Sequence, residues 1–236
     1  MLVISWEEYV SNNKEQIINN KGCCSDYCAV SGINPYNSNQ NPHSLLPTPY
    51  SLAVTVGVFD GVHLGHQALI RQICSPPLPI SHSLLPTPHS LLPTVVTFRQ
   101  NPLKTLMPDK YAGDIYPLEE KLGLLEGLGV KMTVLIDFSE KFSTINGRDF
   151  IGLLLGSRPV KLIALGRNFR CGHGLETGAD EIRALAEAGG VKISVTEPVI
   201  DSGLPVSSSR IRQALASGKI AEAERLLGRP IPPVHP

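Results

Sequence analysis

One stretch limits the fold more than any other: Val54–Leu69 reads V-T-V-G-V-F-D-G-V-H-L-G-H-Q-A-L. Val54, Val56 and Val58 around Gly57 suit a short buried strand. Gly57, Gly61 and Gly65 then allow a tight turn and close approach of a ligand, and a helix follows. A strand feeding a helix through such a turn puts the helix start at the carboxyl end of the strand, where free N–H groups and the helix dipole favour an anion. Asp60 can accept backbone hydrogen bonds within the turn. His63 and His66 are three apart and share a helix face, so both imidazoles can point at one anion. Each can donate a hydrogen bond and gain charge near neutral pH. By itself the pair is also compatible with a surface or zinc-binding arrangement. No Gly-Lys-Ser/Thr follows the glycines, so this is not a P-loop, and the His-Glu-x-x-His of a zincin is absent.

The rest of the chain alternates strand and helix. Tyr116–Leu128 is expected to be a helix and Met132–Ile136 a strand. Asn146 can cap a helix running to Leu155, with Asp149 favourable in its first turn. Val160–Leu165 reads as a strand, Ala179–Ala188 as a helix and Lys192–Thr196 as a strand. This alternation implies an α/β fold, a Rossmann-like doubly wound parallel sheet with helices on both faces. Ligands bind such sheets at the carboxyl ends of the strands, near the switch point.

A second anion-binding helix start is legible at Val206–Arg212, V-S-S-S-R-I-R. Ser207, Ser208 and Ser209 precede helical spacing at Ile211, Ala214 and Leu215, which stops at Gly218. Arg210 and Arg212 oppose the dipole, at about 0.3–1 kcal/mol each, unless an anion compensates. The alternative is a pair of solvated surface arginines. Serine hydroxyls and guanidinium forks are natural phosphate ligands.

A seven-residue unit, Pro-His-Ser-Leu-Leu-Pro-Thr, recurs at Pro42–Thr48, Ser81–Thr87 (Ser for the first Pro) and Pro88–Thr94. A decayed continuation follows the first copy at Pro49–Leu52. Proline at this density breaks helices and does not suit a central strand, so both runs are expected to be extended loops. His43, His82 and His89 are then spectators. The expected organisation is an N-terminal element over 1–18, an insertion over 19–52, a main domain over 53–230 with a proline-rich insertion at 75–94, and a tail from 231.

Composition adds exclusions. Formal net charge is zero, which gives no electrostatic case for nucleic-acid binding. No apolar run approaches membrane-spanning length, and the opening Met1–Tyr9 is unlike a signal peptide, so a cytoplasmic protein is expected. Of five cysteines, Cys23, Cys24 and Cys28 cluster without a matching ligand pair at zinc-site spacing; free thiols and no protein-held metal are expected.

The string G-x-F-D-G-V-H-L-G-H resembles the HxGH signature of the nucleotidylyltransferase superfamily (HUP-type), in the form seen in bacterial FAD synthetases, the FMN adenylyltransferases. Val95–Phe98, Glu120–Leu122 with Leu124–Val130, Phe138–Phe150, Leu165–Gly172, Val206–Arg212 and Leu226–Pro230 resemble further blocks of that family in order. The resemblance implies transfer of AMP from ATP to FMN, with Mg²⁺ accompanying ATP. It implies catalytic roles for His63, His66, Ser208 and Arg212, and ATP contacts from Gly57, Phe59, Asp60, Gly65, Ser209 and Arg210. Asn168 and Phe169 would face the flavin, and Cys171 would be a packed thiol. Asn168 is equally suited to forming a turn. Val58 stands where the family has Asn, and Phe98–Pro102 keeps only the ends of F-x-P-H-P, with Gln100 and Asn101 between.

Family members commonly continue into a riboflavin kinase module, and this chain stops at Pro236. The resemblance therefore leads one to expect no riboflavin kinase activity and FMN supplied by a separate riboflavin kinase. Two other readings remain open: a related nucleotidylyltransferase for another phosphorylated substrate, and a decayed, non-catalytic flavin- or nucleotide-binding protein. The Phe-Asp-Gly turn argues against the first, the intact histidines against the second.

Overall fold

All five residues of Leu52–Val56 are buried, a pattern that suits a strand covered on both faces. The computed structural model describes residues 1–11, 51–75 and 91–231. Within them the strands are β1 (Leu2–Ser5), β2 (Leu52–Val56), β3 (Leu92–Phe98), β4 (Met132–Ile136), β5 (Val160–Gly166), β6 (Arg170–Cys171), β7 (Thr177–Gly178), β8 (Lys192–Thr196), β9 (Ile200–Asp201) and β10 (Leu204–Pro205). Six of these form one parallel sheet in the order β1-β4-β3-β2-β5-β8, while β6/β7 and β9/β10 are short antiparallel pairs. The helices are α1 (Trp6–Ser11), α2 (Leu64–Cys74), α3 (Pro102–Leu106), α4 (Leu118–Gly127), α5 (Glu140–Ser143), α6 (Gly147–Ser157), α7 (Ala179–Ala188), α8 (Ser208–Ala216) and α9 (Ile220–Leu227).

The pleat sends alternate side chains of each strand to opposite layers. On one face Val54, Val56, Val96, Val134 and Ile163 pack with residues of α1, α6 and α7. On the other Ala53, Val95, Leu162 and Ala164 meet Leu69, Ile70 and Ile73 of α2 and Leu125 of α4. The doubly wound α/β sheet expected from the sequence is therefore present. Its edge is closed by the opening residues: β1 pairs with β4, and Trp6 stacks on Tyr9 and Phe150 at centroid distances of 5.6 and 5.3 Å. Such aromatic pairs add about 0.5–1.5 kcal/mol each beyond their area. No described helix is long and apolar enough to cross a membrane.

From β2 the chain runs outward through β3 to β4, then returns to lay β5 on the other flank of β2. The sheet thus reverses direction at β2, and the crevice beside its carboxyl end is the switch point. Met132–Ile136, Ala179–Ala188 and Lys192–Thr196 have the expected bounds. The first strand is shifted, spanning Leu52–Val56 rather than Val54–Val58, and α4 starts at Leu118 rather than Tyr116. Pro117 is extended and holds Tyr116 out of the helix, as a residue before proline prefers.

The proline-rich runs require a correction. Leu92, Pro93 and Thr94, the end of one repeat, form the start of β3, a central strand between β2 and β4, and Leu52 opens β2. Pro93 is tolerated because it lies one residue before the ladder with β4 begins at Thr94–Met132; its carbonyl accepts from Lys131 N–H at 2.9 Å, and no strand residue there needs its missing N–H. The readings made for Cys23, Cys24, Cys28, His43, His82 and His89 lie outside the described residues.

Candidate active site

Between β2 and α2 the backbone turns through left-handed conformations: φ is 51° at Phe59, 76° at Gly61 and 40° at Val62. The turn is pinned at its base, where Thr97 Oγ1 donates to Val58 O at 3.0 Å and Lys121 Nζ donates to Phe98 O at 2.9 Å. Phe59 is fully buried, and its ring packs edge-on against His66 at 5.2 Å. A Cβ on Gly57 would stand 3.2 Å from that ring. The expectation that Phe59 contacts ATP is corrected for its side chain, which is closed into the core; only its backbone borders the turn.

His63 caps α2 with its own ring: Nδ1 accepts the His66 N–H at 3.4 Å. The neutral ring therefore carries its proton on Nε2. The two imidazoles stack, with centroids 3.6 Å apart and planes 17° from parallel. Gly65 makes this possible, since a Cβ there would meet the His63 ring at 3.2 Å and the Val206 carbonyl at 3.6 Å. Burial, then the Arg229 cation, depresses the His63 pKa to about 4. Burial, His63 and Lys121 hold His66 well below the usual histidine range. Here the sequence expectation is corrected: without ligand both rings are neutral near pH 7, because the turn closes over them. His66 Nδ1 is buried and has no hydrogen-bond partner.

The serine helix start abuts this turn. Ser207 is the N-cap of α8 and accepts from Arg210 N–H at 3.3 Å. Ser208 Oγ donates to Asp60 O at 2.9 Å, and Arg212 pairs with the Asp60 carboxylate while its Nε donates to Gly113 O at 3.1 Å. Asp60 also accepts from Ile115 N–H at 2.9 Å, a backbone donor 55 residues away rather than one within its own turn. Burial pushes its pKa up, and the Ile115 N–H and Arg212 push it back down. Ser209 is exposed beside them. The starts of α2 and α8 thus face one crevice.

Arg210 points elsewhere. Its guanidinium binds Asp201 Oδ2 at 2.8 Å and Glu222 Oε1 at 3.0 Å, tying the β9/β10 hairpin to α9. The ATP contact expected of Arg210 would have to displace these two carboxylates. Asn168 lies exposed in the turn after β5 at the same carboxyl edge, and Phe169 packs partly against the core. Cys171 is partly buried, and burial pushes its thiol up to about 12, which disfavours the reactive thiolate. Asn101 caps α3, accepting from Leu103 N–H at 3.1 Å, and donates to Asp114 at 3.1 Å.

Sequence reasoning assigned no role to Lys121 or Arg229. Lys121 is buried at the floor of a cleft it shares with Val58, Asp60, Asn101, Asp114 and Tyr116. Arg229 reaches the histidine turn from the other end of the chain, donating to Val62 O at 3.0 Å and to Gly61 O. Both lie in family-like segments, Glu120–Leu122 and Leu226–Pro230; a lysine on a helix or an arginine after a glycine carries no signal of which carbonyls it will reach.

The family model described as FAD synthetase matches residues 46–210. The chain is 34% identical over 193 residues to the bifunctional riboflavin kinase/FMN adenylyltransferase of Escherichia coli K12, covering 80% of this chain and 58% of that protein. It is 30% identical over 199 residues to the Bacillus subtilis protein of the same description, with the same coverage. The chain therefore spans less than two thirds of the length of these relatives. Among solved structures, one described as a macrolide-efflux protein from Streptococcus pneumoniae matches with a TM-score of 0.64 and 30% identity, over 78% of this chain and 66% of that one.

Proposed function

Because the chain belongs to the FAD synthetase family, we propose that it is an FMN adenylyltransferase, transferring AMP from ATP to FMN to give FAD and pyrophosphate. The observation that carries this reading is the meeting of two helix starts, α2 under His63 and α8 under Ser207, bridged by the Ser208–Asp60 hydrogen bond. Two such termini side by side suit a polyphosphate rather than a single carboxylate.

The FMN phosphate is already ionised at neutral pH, so no strong general base is required. One of its oxygens attacks the α-phosphorus of ATP. The new P–O bond forms as the bond to the bridging oxygen breaks, and pyrophosphate leaves with that electron pair. The protein's work is alignment and stabilisation of the charge that builds on the α-phosphoryl oxygens and the leaving group. His63 Nε2–H is a neutral donor at the head of α2, and His66 stacks behind it. Ser208, Ser209 and Arg212 would take the β- and γ-phosphates. Arg212 then exchanges part of its bond with Asp60 for phosphate oxygens, which makes Asp60 its resting partner.

The residues do not build a cage for Mg²⁺. Among the described residues no three His, Cys, Asp or Glu side chains are grouped to hold a metal ion, and Asp60 is engaged by Arg212. An ion accompanying ATP would be held by phosphate oxygens and water. For the flavin we assign the carboxyl edge near Asn168 and Phe169. The acceptor FMN comes from a riboflavin kinase reaction.

The test is direct. Purified protein is incubated with ATP, Mg²⁺ and FMN, and FAD and pyrophosphate are quantified. Equal amounts of the two are expected. No FAD from FMN, with turnover on another phosphorylated acceptor, would replace this reading by the related transferase; no turnover with nucleotide still bound would replace it by the binding protein.

A further inference from the structure

The histidine turn is strained. Phe59 and Val62 both have positive φ, and for a β-branched residue such as Val62 this conformation is rare and costly. Strain of this kind, of order 1–3 kcal/mol per residue, persists where surrounding contacts over-determine it. Two of those contacts, to Gly61 and Val62, come from the far end of the chain. Arg229 donates to Gly61 O and Val62 O and also to Leu227 O at 3.2 Å, so one guanidinium ties the turn to the end of α9. Gln67 of α2 repeats the link, donating to Val62 O at 3.1 Å and Leu227 O at 2.8 Å. The Arg229 guanidinium lies 5.0 Å from the centroid of the Tyr116 ring, which fixes its plane. Gly228 allows the close approach: its φ is 71°, and a Cβ there would sit 2.5 Å from Leu64 Cδ2.

We propose that Arg229 is a positioning residue: its fork holds the Gly61–Val62 carbonyls so that His63 stays stacked on His66 at the head of α2. Arg229 acts through the turn, next to the rings it orients. A lysine could supply the charge but not the planar fork that spans neighbouring carbonyls. The groups facing His63 are Arg229 from the C-terminal segment and His66 within α2; Lys121 of α4 faces His66, and the Asp60 carboxylate is turned toward Arg212.

The test compares Arg229→Met and Arg229→Lys in the full chain. Imidazole nitrogens are followed by NMR against pH, and FAD formation is measured alongside; only this kinetic arm rests on the function proposed above. In Arg229→Met the His63 midpoint should rise by roughly half a pH unit or more, because a cation beside it is gone. Its kcat should fall about 10²-fold with a smaller change in KM for ATP, the signature of misplaced groups. Arg229→Lys should keep a low His63 midpoint yet lose about tenfold in kcat. Should Arg229→Met fail to fold, Arg229→Lys carries the kinetic comparison. Folded variants with unchanged kcat and unchanged His63 titration, or with only a lowered melting temperature, would overturn the proposal. If the unsubstituted chain makes no FAD, the activity fails, and His63 titration with its ring contact to His66 still decides the role of Arg229.

Discussion

Asp60, in the turn after β2, and Arg212, in the second turn of α8, form an ion pair between groups 152 residues apart. The Asp60 side chain is only 6% exposed, so the pair joins the histidine turn to the serine helix at a site largely out of water. Removing one partner should differ from removing both. Arg212→Met leaves a buried carboxylate unpaired and should destabilise the fold by about 3 kcal/mol. Asp60→Asn with Arg212→Met should regain most of that stability without regaining FAD formation. Urea unfolding and the FAD assay on both variants and the parent check this, and parental turnover in the double variant would remove Arg212 from the phosphate site.

His66→Ala should lower FAD formation by about 10²-fold, the scale of a misplaced reacting group, because His63 loses the ring it stacks on. His89→Ala, in a proline-rich repeat, should leave it unchanged. Equal losses in the two variants would mean that the histidines have been wrongly assigned.

Acid should weaken the fold in a defined window. The His63 pKa is about 4 in the folded chain against 6.5 for an unperturbed histidine. The unfolded chain therefore takes up the proton first. The contribution is complete above pH 6.5 and is lost as pH falls toward 4, on the order of 3 kcal/mol from this group. His66, lowered in the same direction, adds to it. Urea midpoints at pH 7.5, 5.5 and 4.5 should fall in that order, and His63→Gln should flatten part of the slope. An unchanged midpoint between pH 7.5 and 4.5 would show that the rings are not held neutral.

The residues flanking one proline-rich run, Ser75 after α2 and Leu91 before β3, lie at the amino-terminal edge of the sheet, away from the histidine turn. Replacing residues 76–90 by a Gly/Ser linker should keep FAD formation within about twofold, because both flanks lie away from the histidine turn. A loss of tenfold or more in a folded protein would place that segment in the reaction.

Much of the sheet was legible because strand and helix periods differ. Met132–Ile136 is an unbroken apolar run after a glycine, and Ala179–Ala188 has clear helical spacing. Where the reading failed, a long-range partner overrode local preference. Pro93 looks unsuited to a central strand until one sees that β4 starts one residue too late to need its N–H. Nothing local to Arg210 shows that Asp201 and Glu222 close on its guanidinium. The opening residues gave no sign that β1 would pair with β4, more than 125 residues away.

By itself the sequence determined the alternation that makes a doubly wound sheet, and the two helix starts that can take an anion, because caps, glycine turns and periodicity act over a few residues. Tertiary structure alone decided the electrical state of those starts. Burial and the cations of Arg229 and Lys121 keep His63 and His66 neutral, and Asp60 holds Arg212 in place. Those effects depend on desolvation and on distances between side chains that the fold brings together from opposite ends of the chain.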